Sequence, residues 1–243
     1  MEPKAAPGVP AAWVRFLVAT GSGMDRVRAP WEHARTQGEV VLVLVRHGQT
    51  AWNATRRFLG RTDVPLDATG LAQARRAAAA LPEPLSAVYS SPLSRALRTA
   101  RAVVDDPVVV EDLAELNQGA LEGLDGPTAI QRFPDFFRAW AEDPEHATVP
   151  GGERLRDLQD RVLAAMGGIA RRHEPGEVVG VYTHQMVIAS ATCAARGEPL
   201  VRWRDNRVGN THMTALAWVA GAPRVVVQRV PLGDDAEAEV LGA

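Results

Sequence analysis

The chain predicts an α/β domain with a mostly parallel central sheet. Three observations carry that expectation. Strand-like and helix-like segments alternate from residue 40 to residue 230. The first strand-like segment, Val40-Val41-Leu42-Val43-Leu44-Val45, is apolar at every position, as a strand buried on both faces must be. It then runs into Arg46-His47-Gly48, so the chain leaves the core at a strand's carboxyl end, where open α/β sheets form ligand crevices.

Each later element has its own local reason. Residues 68–81 are Ala-rich and read as a helix; residues 86–89 read as a short strand. Residues 92–104 place Leu93, Ala96, Leu97, Ala100 and Val104 on one helical face. Ser91 is the expected cap of that helix and Pro92 suits its first turn. Strands are expected at 108–110, 178–182, 214–219 and 225–230, with helices at 153–172 and 186–195. Between them, Phe133, Phe136, Phe137 and Trp140 share one helical face. That stripe reads either as a core-facing surface or as a lid lining a pocket.

Composition removes several functional classes. The 243 residues carry a net charge of −2, so bulk charge suggests neither a nucleic-acid nor a membrane partner. No apolar run approaches the ~18 residues of a membrane span. The single cysteine, Cys193, excludes an internal disulfide and a multi-cysteine zinc site; its apolar surroundings suggest a core thiol. Lys4 is the only lysine, so a Schiff-base or P-loop lysine is excluded from the core and arginine must handle any phosphate. Residues 1–38 read as a poorly ordered N-terminal appendage, 39–231 as the folded domain and 232–243 as an acidic tail. A cytoplasmic location is expected.

Chemistry-bearing residues recur at strand ends. His47 follows the first strand, Arg95 lies in the first turn of the helix after the second, Glu115 follows 108–110, and His184 follows 178–182. A parallel sheet can bring all of them to one edge. Singly, each has an ordinary reading: a structural histidine, a solvated arginine, a surface carboxylate. Together they suit phosphoryl transfer through a phosphohistidine, with a neutral imidazole as nucleophile and a carboxylic acid to protonate the leaving group. Arg46, Arg95 and a protonated His184 are the expected cations for the phosphoryl oxygens.

The residues also match a known family. Arg46-His47-Gly48-Gln49-Thr50-Ala51-Trp52-Asn53 resembles the signature of the histidine phosphatase superfamily, which includes phosphoglycerate mutases. Four further stretches follow in family order. They are 57–66 with 69–74, Ser90-Ser91-Pro92-Leu93-Ser94-Arg95-Ala96-Leu97-Arg98-Thr99-Ala100, the segment from Leu113 to Leu124 with Glu115, Gly119, Glu122 and Gly123, and Pro150-Gly151-Gly152-Glu153 with Tyr182-Thr183-His184. The resemblance implies a three-layer α/β/α sandwich with His47 as nucleophile and Glu115 as proton donor. It implies that Arg46, Arg95 and His184 hold the phosphoryl group and that Asn53 contacts it. Arg57 and Gln185 are carried as further substrate contacts. No metal and no cofactor are implied.

The chain departs from the family at Gln185, where glycine usually follows the second histidine, and at Arg154 in place of serine. Phosphoglycerate mutases carry a tyrosine three residues after the acid, where this chain has Gln118, and a lysine beyond. The resemblance therefore implies a metal-independent phosphomonoester hydrolase acting on a small-molecule phosphate. A mutase-like phosphotransferase and a non-catalytic phosphoanion-binding domain are the alternatives. The substrate and the oligomeric state, a homodimer included, stay open.

Overall fold

The computed structural model describes residues 29–233. Its centre is a six-stranded sheet in the order β3-β2-β4-β1-β5-β6. The strands are β1 (Val40–Arg46), β2 (Ala87–Ser90), β3 (Val108–Val109), β4 (Val178–Thr183), β5 (His212–Val219) and β6 (Ala222–Pro231). β3, β2, β4 and β1 run parallel, while β5 and β6 add an antiparallel edge beside β1. The sheet is thus mostly parallel, as expected, with a hairpin as its last two strands.

β1 shows why the apolar run is needed. All seven of its residues are buried. Val40, Leu42 and Leu44 point into one core cluster, and Val41, Val43 and Val45 into the other. The period-2 alternation of a strand sends successive side chains to opposite faces, so a strand covered on both faces has no room for polar residues. Each such burial contributes about 1.5–3 kcal/mol.

Helices cover both faces. On one side lie α7 (Leu155–Ala170) and α8 (Gln185–Ala195), which bring Leu158, Val162, Met166, Val187 and Ile188 to the first cluster. On the other lie α1 (Glu32–Thr36), α3 (Ala68–Ala79) and α4 (Ser94–Ala100), through Ala34, Ala77 and Ala100. The shorter α2 (Ala51–Ala54), α5 (Gly126–Arg132) and α6 (Pro134–Glu142) complete the helices. This is the expected three-layer arrangement. None of the described helices is long and apolar enough to cross a membrane.

Several expectations need correction. The fold begins before residue 39: Trp31 is fully buried against the second cluster and α1 follows it, so the Pro- and Gly-rich composition sets apart only the part before residue 29, which lies outside the described residues. Leu232 is buried as well, so the proposed acidic tail lies outside them from residue 234. The helix expected at 92–104 is shorter, and Ser91 does not cap it. Leu93 is the capping residue, and Asp63 from another loop accepts the Ser94 N–H at 2.8 Å. The aromatic stripe is interrupted, because Pro134 restricts Phe133 and lacks the N–H that a continuous helix requires. Phe136, Phe137 and Trp140 still share α6; they pack on the core, with Trp140 reaching Trp203 at 6.2 Å between ring centroids.

Candidate active site

The register between β1 and β4 places the two histidines side by side. Arg46 pairs with Thr183, and the His47 N–H donates to the Thr183 carbonyl at 3.0 Å. Each strand ends at that pair, so His47 and His184 leave the sheet at the same level. Their rings meet edge to face with centroids 5.2 Å apart. Both are buried.

The turn after His47 requires Gly48. A Cβ there would lie 2.5 Å from the Gly70 carbonyl oxygen, and a Cβ on Gly70 would lie 2.0 Å from that of Gln49. Two backbones approach too closely for any side chain. Gly48 N–H donates to Thr99 Oγ1 at 3.1 Å, and Asn210 Nδ2 donates to the His47 carbonyl at 2.8 Å. Next to Asn210, Thr211 adopts a left-handed φ of 56°, a strained state for a β-branched residue.

This frame sets the chemistry of His47. Its Nδ1 lies 2.7 Å from the Gly48 carbonyl oxygen, which can only accept, so Nδ1 carries the proton. Nε2 keeps its lone pair. Burial holds the His47 pKa well below 6.5, reinforced by Arg95 and Arg46 and opposed by the Gly48 hydrogen bond. The ring is neutral near pH 7, as a nucleophile must be.

The cations come from two elements. Arg46 ends β1 and donates from Nη1 to the Val208 carbonyl at 2.8 Å. Arg95, in the first turn of α4, is fully buried. It donates from Nη1 to Thr62 O at 3.0 Å and from Nη2 to Gly60 O at 2.7 Å, while its buried Nε bonds to no group among the described residues. Burial pulls its pKa down to about 10 despite the nearby carboxylates of Glu115, Asp63 and Glu122, so it stays a cation at neutral pH.

Glu115 sits in the loop after a short 3-10 turn (Glu111–Leu113). Its Oε1 accepts from Leu116 N at 2.7 Å and its Oε2 from Met186 N at 3.2 Å. Arg61 and Arg161 both donate to its main-chain carbonyl, at 2.8 and 3.1 Å. Burial raises its pKa, outweighing the two N–H bonds and the charges of Arg95 and Arg46. A carboxyl group with a raised pKa, within the field of Arg95 and Arg46, is suited to give a proton.

His184 corrects one expectation. Burial, then Arg95, His47, Arg46 and Arg161, hold its pKa well below 6.5, so in the ligand-free site it is neutral rather than an imidazolium. Its Nε2 lies 2.7 Å from Ser91 Oγ, and its buried Nδ1 has no partner among the described residues.

The remaining expected residues are held elsewhere. Asn53 Oδ1 accepts from the Thr50 N–H and hydroxyl in a capping box at the start of α2. Arg57 is exposed and donates to Gly123 O at 2.6 Å. Gln185 is half-buried at the start of α8. Sequence reasoning missed Thr99, Asn210, Arg61, Arg161 and the clamp made by Glu122, which accepts from Arg61 N and Thr62 N at 2.7 Å each and so holds the loop that grips Arg95. Glu122 stood in a recognisable motif; nothing local in the sequence marks Asn210 as a neighbour of β1.

The chain is similar to several known proteins. Phosphoserine phosphatase 1 of Hydrogenobacter thermophilus is 32% identical over 169 residues, covering 68% of this chain and 80% of that protein. Phosphoglycerate mutase-like protein 4 of Arabidopsis thaliana is 37% identical, covering 64% of this chain and 70% of its own length. Among solved structures, Bacillus stearothermophilus YhfR superposes with a TM-score of 0.71 at 34% identity, covering 77% of this chain and 96% of that one. Residues 42–230 match the family described as histidine phosphatase superfamily (branch 1), a span that holds all five clustered residues, and the chain belongs to that superfamily.

Proposed function

We propose that the protein hydrolyses small-molecule phosphomonoesters through a phosphohistidine on His47, without a metal ion. The observation that carries this reading is the Nδ1–Gly48 hydrogen bond, which leaves a neutral His47 with its Nε2 lone pair beside two buried arginines. Nε2 attacks phosphorus in line as the ester P–O bond breaks, and Arg46 and Arg95 offset charge on the equatorial oxygens. The departing alkoxide takes the proton of Glu115. Water then attacks phosphorus as the P–N bond breaks and returns its electron pair to His47 Nε2; the water proton goes to the Glu115 carboxylate, and inorganic phosphate leaves. Guanidinium groups supply the positive charge that a metal supplies elsewhere, which supports metal independence. Asn53, Arg57 and Gln185 are proposed as substrate contacts, Asn53 through the amide nitrogen that its capping bonds do not use.

Relatives named as phosphoserine phosphatases, at 32% and 38% identity, support a small phosphate ester as substrate. The test is phosphate release from a panel that includes phosphoserine, phosphoglycerates and sugar phosphates, with and without EDTA. It is paired with trapping of an acid-labile phosphoenzyme in wild type and His47→Ala. Release that survives His47→Ala overturns the mechanism. Loss of activity in EDTA overturns metal independence. Transfer between hydroxyls without release favours the mutase reading, and binding without turnover favours the non-catalytic one.

A further inference from the structure

We propose that Ser91 is a positioning residue that sets the tautomer of His184, so that a neutral imidazole donates its Nδ1–H to the phosphoryl group. The proposal rests on the phosphatase reading of this pocket and names a role for a residue outside it. His184 Nε2 lies 2.7 Å from Ser91 Oγ, and both side chains are fully buried. That distance fits either polarity: His184 gives a proton to Ser91, or Ser91 gives one to His184.

The donor count decides between them. A serine hydroxyl has one hydrogen and two lone pairs. Ser91 Oγ already accepts the Leu93 N–H at 3.3 Å. If Nε2–H also donated to it, both lone pairs would be filled and the hydroxyl hydrogen would be buried with no acceptor among the described residues, at a cost of about 1–3 kcal/mol. If the hydroxyl donates to Nε2, every polar atom of Ser91 is used. The proton of a neutral His184 must then sit on Nδ1.

Nδ1 is the nitrogen that the protein leaves without a partner. As a donor it requires an acceptor, and none among the described residues bonds to it. An anionic phosphoryl oxygen supplies one. The arginines then carry the charge, while His184 adds a directional hydrogen bond that does not depend on an extra proton. Ser91 is held for this role rather than for capping, since Asp63 caps the helix that follows it.

The test is a long-range 1H–15N correlation on the 15N-labelled ligand-free protein, with His184 assigned by its absence in His184→Gln. The expected result is a neutral ring protonated at Nδ1 near pH 7. An Nε2–H tautomer, or an imidazolium, overturns the proposal. Ser91→Ala is expected to move the ring toward Nε2–H and to lower kcat about tenfold with little change in KM. A Ser91→Ala ring still protonated at Nδ1 also overturns it. If Ser91→Ala does not fold, Ser91→Cys, with a weak S–H donor of similar shape, takes its place. The tautomer is read without any ester, so an absence of phosphatase activity would sink the function while leaving this result to stand or fall alone.

Discussion

The Met186 N–H donates to Glu115 Oε2 across 3.2 Å, so the helix that begins beside His184 also grips the proposed acid. Glu115 and His184 are therefore placed by one element. Glu115→Gln keeps the volume and removes the proton. We expect kcat on alkyl phosphates to fall about 10²–10⁴-fold, with far less loss on p-nitrophenyl phosphate, whose leaving group needs no proton. In wild type the rate on alkyl esters should fall as pH rises through the raised Glu115 pKa, and the variant should lack that limb. Equal losses on both ester types would remove Glu115 from the role of acid.

The two buried histidines make stability sensitive to acid. Both have folded-state pKa values depressed below the ordinary 6.5, first by burial and next by Arg95. Below about pH 6.5 the unfolded chain binds protons at these positions that the folded chain refuses. Stability is thus fully present above that pH and falls as pH drops toward the folded pKa values. The slope is up to about 1.4 kcal/mol per pH unit for each histidine. Denaturant melts between pH 5 and 7 check this: His184→Gln should flatten the decline, and a wild-type curve level over that range would contradict it.

Arg95→Lys should be far from conservative. The guanidinium holds Thr62 O and Gly60 O through two nitrogens and still presents Nε, whereas an ammonium is a single point donor. We expect kcat/KM to drop about 100-fold or more. Glu122→Gln should produce a smaller loss, about tenfold, because it loosens the loop that grips Arg95 without touching the guanidinium. Steady-state kinetics on one ester compares the two, and a Glu122 variant worse than Arg95→Lys would refute this ordering.

Gly48→Ala should disturb both fold and chemistry. Its Cβ would meet backbone of Gly70 rather than a side chain that can swing away. We expect a destabilisation of about 2–3 kcal/mol in urea melts, together with loss of phosphoenzyme as the carbonyl that orients His47 shifts. Retention of wild-type stability would show that the two backbones separate easily.

Much of this was legible in the chain. The apolar run from Val40 to Val45 announced a strand covered on both faces, and β1 is one. His47, Arg95, Glu115 and His184 were readable because each follows a strand or opens a helix, and parallel strands bring such ends together. The charge on His184 was not readable, because it depends first on how deeply the fold buries the ring and then on Arg95 and the other charges around it. Nor were Asn210 and Ser91. Asn210 lies 163 positions from His47, and only the antiparallel return of β5 along β1 brings it there. A serine before a helix usually caps it, as Ser91 suggests in the chain, but here the loop carrying Asp63 supplies the cap from a distance. The break at Phe133 was signalled by Pro134 and was outweighed by the aromatic spacing.

The pairing of Arg46 with Thr183 has a consequence for assay design. The gap between the two histidines is set by a pair of neighbouring strands, so the hydrogen-bond ladder works as a ruler. A slip of one residue in that ladder would turn one histidine to the opposite face of the sheet. Such a molecule would keep most of its secondary structure and its spectrum, yet lack a working pair. Specific activity after refolding would then count correctly registered sheets, molecule by molecule, where circular dichroism would count strands.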